Sequence, residues 1–182
     1  MPFSFDTFPD LHTPRLHLTE PGHEHAADLF RIYTHADVVR YYTAMPFKEE
    51  KDLLPVIDIF RGRFHAGEQI RWGMVQKGST GIIGTIGIHN IAPGHKASVF
   101  FALHPDHWNK GYMTEALQPV LQFCFEQLDL RRIDAEVMPG NTASGKVLEK
   151  SGFVFEGLLK QWMMWKGKCY DMNMYSLVRG GG

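Results

Sequence analysis

Residues 107–117 read HWNKGYMTEAL, with a lone glycine between a lysine and a tyrosine where a helix should begin. From Met113 onward, Leu117, Val120, Leu121 and Cys124 recur at spacings of three and four, the mark of an amphipathic helix. The turn before it supplies a flexible glycine, polar side chains and the cation of Lys110, and no carboxylate follows until Glu115. That is a helix start whose backbone N–H groups are open to an anion. An ordinary strand-to-helix connection, with Gly111 relieving a tight turn, fits the same letters. A nucleotide P-loop or dinucleotide fingerprint does not, because no Lys-Ser/Thr pair follows a second glycine and no three-glycine set is present. A pyrophosphate cradle would aim the N–H groups of Asn109, Lys110, Gly111, Tyr112, Met113 and Thr114 at one diphosphate. The helix dipole adds about 0.3–1 kcal/mol to such a contact at an exposed site.

Other reactive types are less organised. His104, Asp106 and His107 stand close together, but four ligands at a defined spacing are absent, so no metal is expected. His23 and His25 at a helix start read as surface. Cys124 and Cys169 form no metal motif and have no histidine beside them, which argues against a cysteine nucleophile. Cys124 falls on the apolar side of the helix and reads as a reduced, packed thiol, which suits a cytoplasmic setting. Glu115 reads as a first-turn carboxylate favoured by the dipole.

These groups need a scaffold, and the patterning supplies one. Residues 15–20 alternate apolar and polar and predict a first strand. Helical patterns follow over 23–35 and 48–67, the second expected to bend at Pro55. Strands at 70–77 and 81–91 flank the turn KGSTG and predict a hairpin. A strand at 96–104, the helix from 112 with Pro119 inside it, a strand at 131–138 and a short helix ending at Gly152 come next. Two last strands surround the turn KGK. Adjacent strands argue for an antiparallel meander, and the strand–helix–strand unit for one parallel pair. The expected fold class is α/β (α+β): a mixed, mostly antiparallel sheet with helices on both faces. A single domain over residues 1–179 and a disordered tail at 180–182 are expected.

A formal net charge of -1, with dispersed lysines and arginines, gives no case for direct nucleic-acid binding or a membrane surface. No apolar run approaches a membrane span, and the opening MPFSFDTFPD lacks the regions of a signal peptide.

The W-x-x-G-Y-x-T-E-A run and the segment VMPGNTASGKVLEKSGFVFEG (residues 137–157), taken together, resemble the GNAT superfamily of acyl-CoA-dependent N-acetyltransferases. Within it the chain looks most like the RimJ/RimL-type ribosomal-protein N-terminal acetyltransferases, from TPRLHL to MYSLV. The resemblance implies acetyl-CoA as cosubstrate, no metal, and an amine acceptor. The family's cradle pattern is Gln/Arg-x-x-Gly-x-Gly/Ala; here Trp108 takes the first position, Gly111 the glycine, and Met113 stands where a small residue is usual. By the same resemblance Phe101, Ala102 and Leu103 would pair their backbone with the pantetheine arm as an extra strand. Asn141 would bond the pantetheine, Ser144 would sit near the sulfur, and Glu156 matches a glutamate given a catalytic part. Asn141 equally suits a helix cap, Ser144 a plain first-turn residue, and Glu156 a solvated strand position.

Two departures matter. Many relatives carry a glutamate in an A-E-I-G-Y context before the cradle; here the stretch is A-S-V-F-F, with Ser98 at the acidic position and Phe100 in place of glycine. The usual base is absent. An α-amine tolerates that best, since its reference pKa of about 7.7–8.0 compares with about 10.4 for lysine. The expected reaction is therefore direct attack by the N-terminal α-amine of a ribosomal or similar protein, with a water relayed to Glu156. Ser144 would serve the thiolate, and a backbone N–H near Ala102 or Leu103 the carbonyl. Alternatives are a small amine acceptor (polyamine, amino acid or aminoglycoside) or a domain that binds acyl-CoA without catalysis. Tyr41, Tyr42, Trp162 and Trp165 are acceptor-wall candidates that also suit a core, and a homodimer is left open.

Overall fold

The computed structural model describes residues 3–41 and 46–180. Tyr42, one of the acceptor-wall candidates, lies outside the described residues, as do the last two glycines of the tail. The elements follow in the order β1 (Leu11–His12), β2 (Leu16–Thr19), α1 (Ala26–Thr34), α2 (Ala36–Val39), α3 (Leu54–His65), β3 (Gln69–Gln76), β4 (Ile82–Ala92) and β5 (Lys96–Leu103). Then come α4 (Tyr112–Glu126), β6 (Arg132–Val137), α5 (Thr142–Lys150), β7 (Val154–Trp165) and β8 (Lys168–Val178). The strands form one sheet in the order β1-β2-β3-β4-β5-β6-β8-β7. Every neighbouring pair is antiparallel except β5–β6, which the crossover through α4 makes parallel.

Alternation along β5 sends its side chains to two apolar clusters on opposite faces. Ala97 and Val99 join α4 through Met113, Leu117, Val120, Leu121 and Cys124, the predicted helix face. Ala102, of opposite parity, joins α1 and α3 through Leu29, Ile32 and Ile57. Helices thus cover both faces of a mixed sheet, as the pattern predicted.

One detail is corrected. Pro55 does not bend a helix, because α3 begins at Leu54 after a short 3-10 turn and Pro55 falls in its first turn. A proline there removes only an N–H that would have no intrahelical partner, and its fixed φ suits the helix start. Cys124 is fully buried, and burial pushes its thiol up to about 12, as expected of a packed, unreactive cysteine.

The feature that positions chemistry is the β5–β6 pair. Its parallel register runs only from Lys96↔Arg132 to Val99↔Ala135. Both strands continue, β5 to Leu103 and β6 to Val137, without pairing to each other. The sheet parts there into a wedge.

Candidate active site

One lip of the wedge is the end of β5. The His104 N–H donates to the Ile83 carbonyl on β4 at 2.9 Å, whereas the His95 carbonyl accepts from Arg131 and Arg132 next to β6. Strand alternation between those anchors turns the backbone of Phe101 and Leu103 toward the wedge and that of Ala102 toward β4. The Leu103 carbonyl accepts from the Trp108 indole at 2.7 Å, so the tryptophan ties the strand end to the loop that follows. This leaves the N–H groups of Phe101 and Leu103 as the wedge's donors.

The loop then builds the cradle. Asn109 (φ 58) and Gly111 (φ 77) both lie in the left-handed region, a conformation that concentrates successive amides on one side. Gly111 is the N-cap of α4 and supplies no side-chain cap. Among the described residues, the N–H groups from Asn109 through Thr114 have no acceptor. Six consecutive donors at a helix N-terminus fit a diphosphate. Met113, the bulky departure, is 5% exposed and points into the core, so only its backbone faces the cradle. The Lys110 ammonium folds back on the Asp106 carbonyl at 2.7 Å.

A second cation, missed in the sequence, shapes the cradle from outside. Arg15 Nη1 donates to the Lys110 carbonyl at 3.0 Å and Nε to Glu115 Oε2 at 2.6 Å, with its guanidinium 4.4 Å from the Tyr112 ring centroid. Glu115 Oε1 also accepts from the Thr13 hydroxyl at 2.6 Å and the Arg15 N–H at 2.9 Å. Burial pushes the Glu115 carboxyl upward, but the bonds from Thr13 and Arg15 outweigh it and hold it below its ordinary range. Glu115 is a staple between α4 and the β1–β2 turn, beyond its dipole role. The only sequence signal was the motif TPRLHL.

Across the wedge stands the start of α5. Asn141 Oδ1 caps it by accepting from the Ser144 N–H at 3.2 Å, so the capping role is real and leaves the Asn141 amide NH2 for another partner. Ser144 is half-buried in the first turn, beside Gly145, where an added Cβ would stand 2.8 Å from the Tyr175 hydroxyl.

Glu156 sits differently from its expected part as a proton acceptor. Arg132 donates to it at 2.9 and 2.6 Å and the Ser176 hydroxyl at 2.6 Å. The Arg132 guanidinium, then Ser176, hold its carboxyl down to about 2, so it has little affinity for a proton near neutrality. Arg132 also bonds Asp134, which Lys96 contacts at 3.2 Å. The three-strand ion network stiffens the closed end of the wedge.

The two departures on β5 have local explanations. Phe100 pairs with Gly87 on β4, and a side chain at Gly87 would collide with the Phe100 ring. The glycine expected on β5 has an equivalent on the neighbouring strand. Ser98 is buried between His89 and Asp134 in the ladder.

A cavity of about 700 Å³ opens beside the wedge, lined by Arg40, Tyr41, Met138–Gly140 residues, Gln161, Cys169, Tyr170 and Asp171. Residues 40–41 and the last hairpin thus line the same cavity. Tyr41 lines this groove, but Trp162 and Trp165 do not; Trp162 is 54% exposed and Trp165 half-buried, so neither is core. No group of His, Cys, Asp or Glu among the described residues could hold a metal ion. No helix among them is long and apolar enough to cross a membrane.

A parallel pair that parts beside an uncapped helix start offers one ligand both a strand edge and a row of free amides. Residues 15–154 match the family described as Acetyltransferase (GNAT) domain, and the chain belongs to that family. It is similar to the uncharacterized N-acetyltransferase YoaA of Bacillus subtilis (strain 168), 35% identical over 173 residues, covering 94% of this chain and 98% of the relative. The ribosomal-protein-serine acetyltransferase of Escherichia coli (strain K12) is 30% identical over 98 residues, 53% of this chain and 55% of that one. Mycobacterium smegmatis RimJ, solved in complex with CoA-disulfide, shares the fold with a TM-score of 0.79 at 24% identity, covering 95% of this chain and 88% of that one. The chain is an acyl-CoA-dependent N-acetyltransferase.

Proposed function

We propose that the protein acetylates the N-terminal α-amine of a protein, of the ribosomal kind, by direct attack. The open groove beside the wedge carries this reading. At about 700 Å³, walled by Tyr41, Tyr170 and Gln161, it offers room for an extended peptide end. The E. coli relative named for a ribosomal protein supports the same acceptor class. When bound, acetyl-CoA would supply an activated acetyl thioester. The amides from Asn109 to Thr114 would hold its diphosphate, and Phe101 and Leu103 would take the pantetheine arm and polarise the carbonyl. Asn141 and Ser144 would meet the thiol end, Ser144 as hydrogen-bond donor to the departing sulfur. Holding a lysine neutral near pH 7.5 would cost about 4 kcal/mol, and an α-amine under about 1 kcal/mol, so a site without a strong carboxylate base suits the α-amine.

The test is thiol release from acetyl-CoA with N-terminal peptides beside a panel of polyamines, amino acids and aminoglycosides. Turnover confined to peptides is expected. Turnover of a small amine with none of any peptide would replace this acceptor. Tight CoA binding with no transfer to either class would make the chain a binding domain.

A further inference from the structure

With Ser98 at the usual acidic position, the attacking amine needs another group to take its proton. A transverse row of polar residues crosses the sheet on the α1/α3 face through the pairs Gln69↔His89, His89↔Ser98, Ser98↔Asp134 and Asp134↔Ser176. Gln69, Ser98, Asp134 and Ser176 are buried, so the row is a built interior feature. Its carboxylates are committed: Asp134 to Lys96 and Arg132, and neighbouring Glu156 to Arg132 and Ser176. His89 carries the remaining basic atom of the row. Directly opposed strand residues lie about 4.5–5.5 Å apart, so an imidazole at 89 reaches the same space as a carboxylate at 98.

We propose that His89 is the proton acceptor for the attacking amine, through one water, in place of the missing carboxylate at 98. This rests on the reading of the chain as an amine acetyltransferase. The His89 ring lies 5.6 Å from that of Phe100, the first β5 residue past the closed rungs of the wedge. Its surroundings keep it neutral. Facing it are Gln69 and Arg71 from β3, Arg63 from α3, Ser98 and Phe100 from β5, Glu136 from β6 and Asn90 on its own strand. Burial lowers its pKa most, Arg71 and Arg63 add to that, and Glu136 and Asn90 oppose; the net shift is below the ordinary histidine value. A neutral imidazole has a lone pair to offer.

In the step, the amine nitrogen bonds the acetyl carbon and the carbon–sulfur bond breaks, its electron pair going to sulfur. The amine's proton passes through water to His89 and then to solvent. The sulfur takes a proton from solvent through the Ser144 hydroxyl, so the sum is amide plus free thiol.

The experiment uses the full chain, acetyl-CoA, and peptides beginning with serine or alanine together with spermidine, and reads kcat against pH and CoA affinity by calorimetry. The parent's kcat is expected to rise with pH as His89 loses its proton. His89→Gln should lower kcat about 10²-fold, leave CoA affinity unchanged and erase that limb. His89→Ala should regain rate on addition of imidazole, an effect that a packing role would not give. Parental kcat in His89→Gln overturns the proposal, as does a loss with the pH limb retained and no imidazole rescue. So does disappearance of the limb in Glu136→Gln instead. If His89→Gln fails to fold, the His89→Ala rescue decides alone. Absence of turnover by the parent removes the acetyltransfer reading as well, whereas an active parent with an indifferent His89 removes this inference only.

Discussion

The proposed cradle and the proposed acceptor face would hold their ligands by opposite means. At the cradle the donors are main-chain amides, from Asn109 to Thr114, and the side chains there turn elsewhere: Met113 into the core, Lys110 onto its own loop. At the proposed acceptor face the candidate groups are side chains carried by separate elements, with His89 on β4, Glu136 on β6 and Tyr170 on β8. A backbone site tolerates changes of side chain but not of φ; a side-chain site does the reverse. On that reading the chain can carry Ser98 in place of a carboxylate without disturbing the amides of the cradle.

The sharpest attempt to break that contrast is Gly111→Glu. It places a side chain where φ is 77 and a like charge beside the proposed diphosphate site, and should weaken CoA binding about 10²-fold. Calorimetry with CoA measures it; retained affinity would mean that the cradle is not the site. Next comes Ser144→Ala, expected to lower kcat by about 10-fold or more with CoA affinity kept, since a hydroxyl that serves only the reacting sulfur acts on the transition state. Glu115→Ala strips three donors of their acceptor at a partly buried staple. A loss of about 2 kcal/mol is expected, seen as a melting temperature lower by about 4–8 °C, together with weaker CoA binding.

The smallest effect on turnover is expected from Glu156→Gln, which tests the acceptor face. Its folded carboxyl lies at about 2 against an ordinary 4.5. The ion pair therefore stabilises the fold fully above about pH 4.5, and that contribution is lost as pH falls toward about 2. Thermal melts across this acid range should flatten in Glu156→Gln while kcat near neutrality stays close to parental. A large fall in kcat with an unchanged fold would return the glutamate to the chemistry.

Legibility in the sequence followed the same division. The open helix start could be read because it announces itself locally, through Gly111 and the apolar period beginning at Met113. The parallel pair could be read because strand, helix and strand follow in order. Strand pairing across the sheet could not, and with it went everything that depends on two distant segments. Arg15 reaching Glu115, Arg132 occupying Glu156, and Gly87 compensating Phe100 are contacts between elements with no periodic signature. Pro55 was misjudged for a different reason: the helix begins at Leu54, and its boundary decides whether a proline bends the helix or opens it. Trp162 resembled core by spacing, but β7 is the last strand of the sheet, with only β8 beside it.

The Glu115 staple has one further effect. Because the turn at Thr13 and Arg15 holds both the first turn of α4 and the Lys110 carbonyl, the floor of the proposed cradle is partly made of the chain's early residues. Coupling of that kind works in both directions. Saturating the enzyme with coenzyme A should slow proteolytic trimming of the segment ahead of β2, and fusions that tug on that segment should loosen the enzyme's hold on the coenzyme.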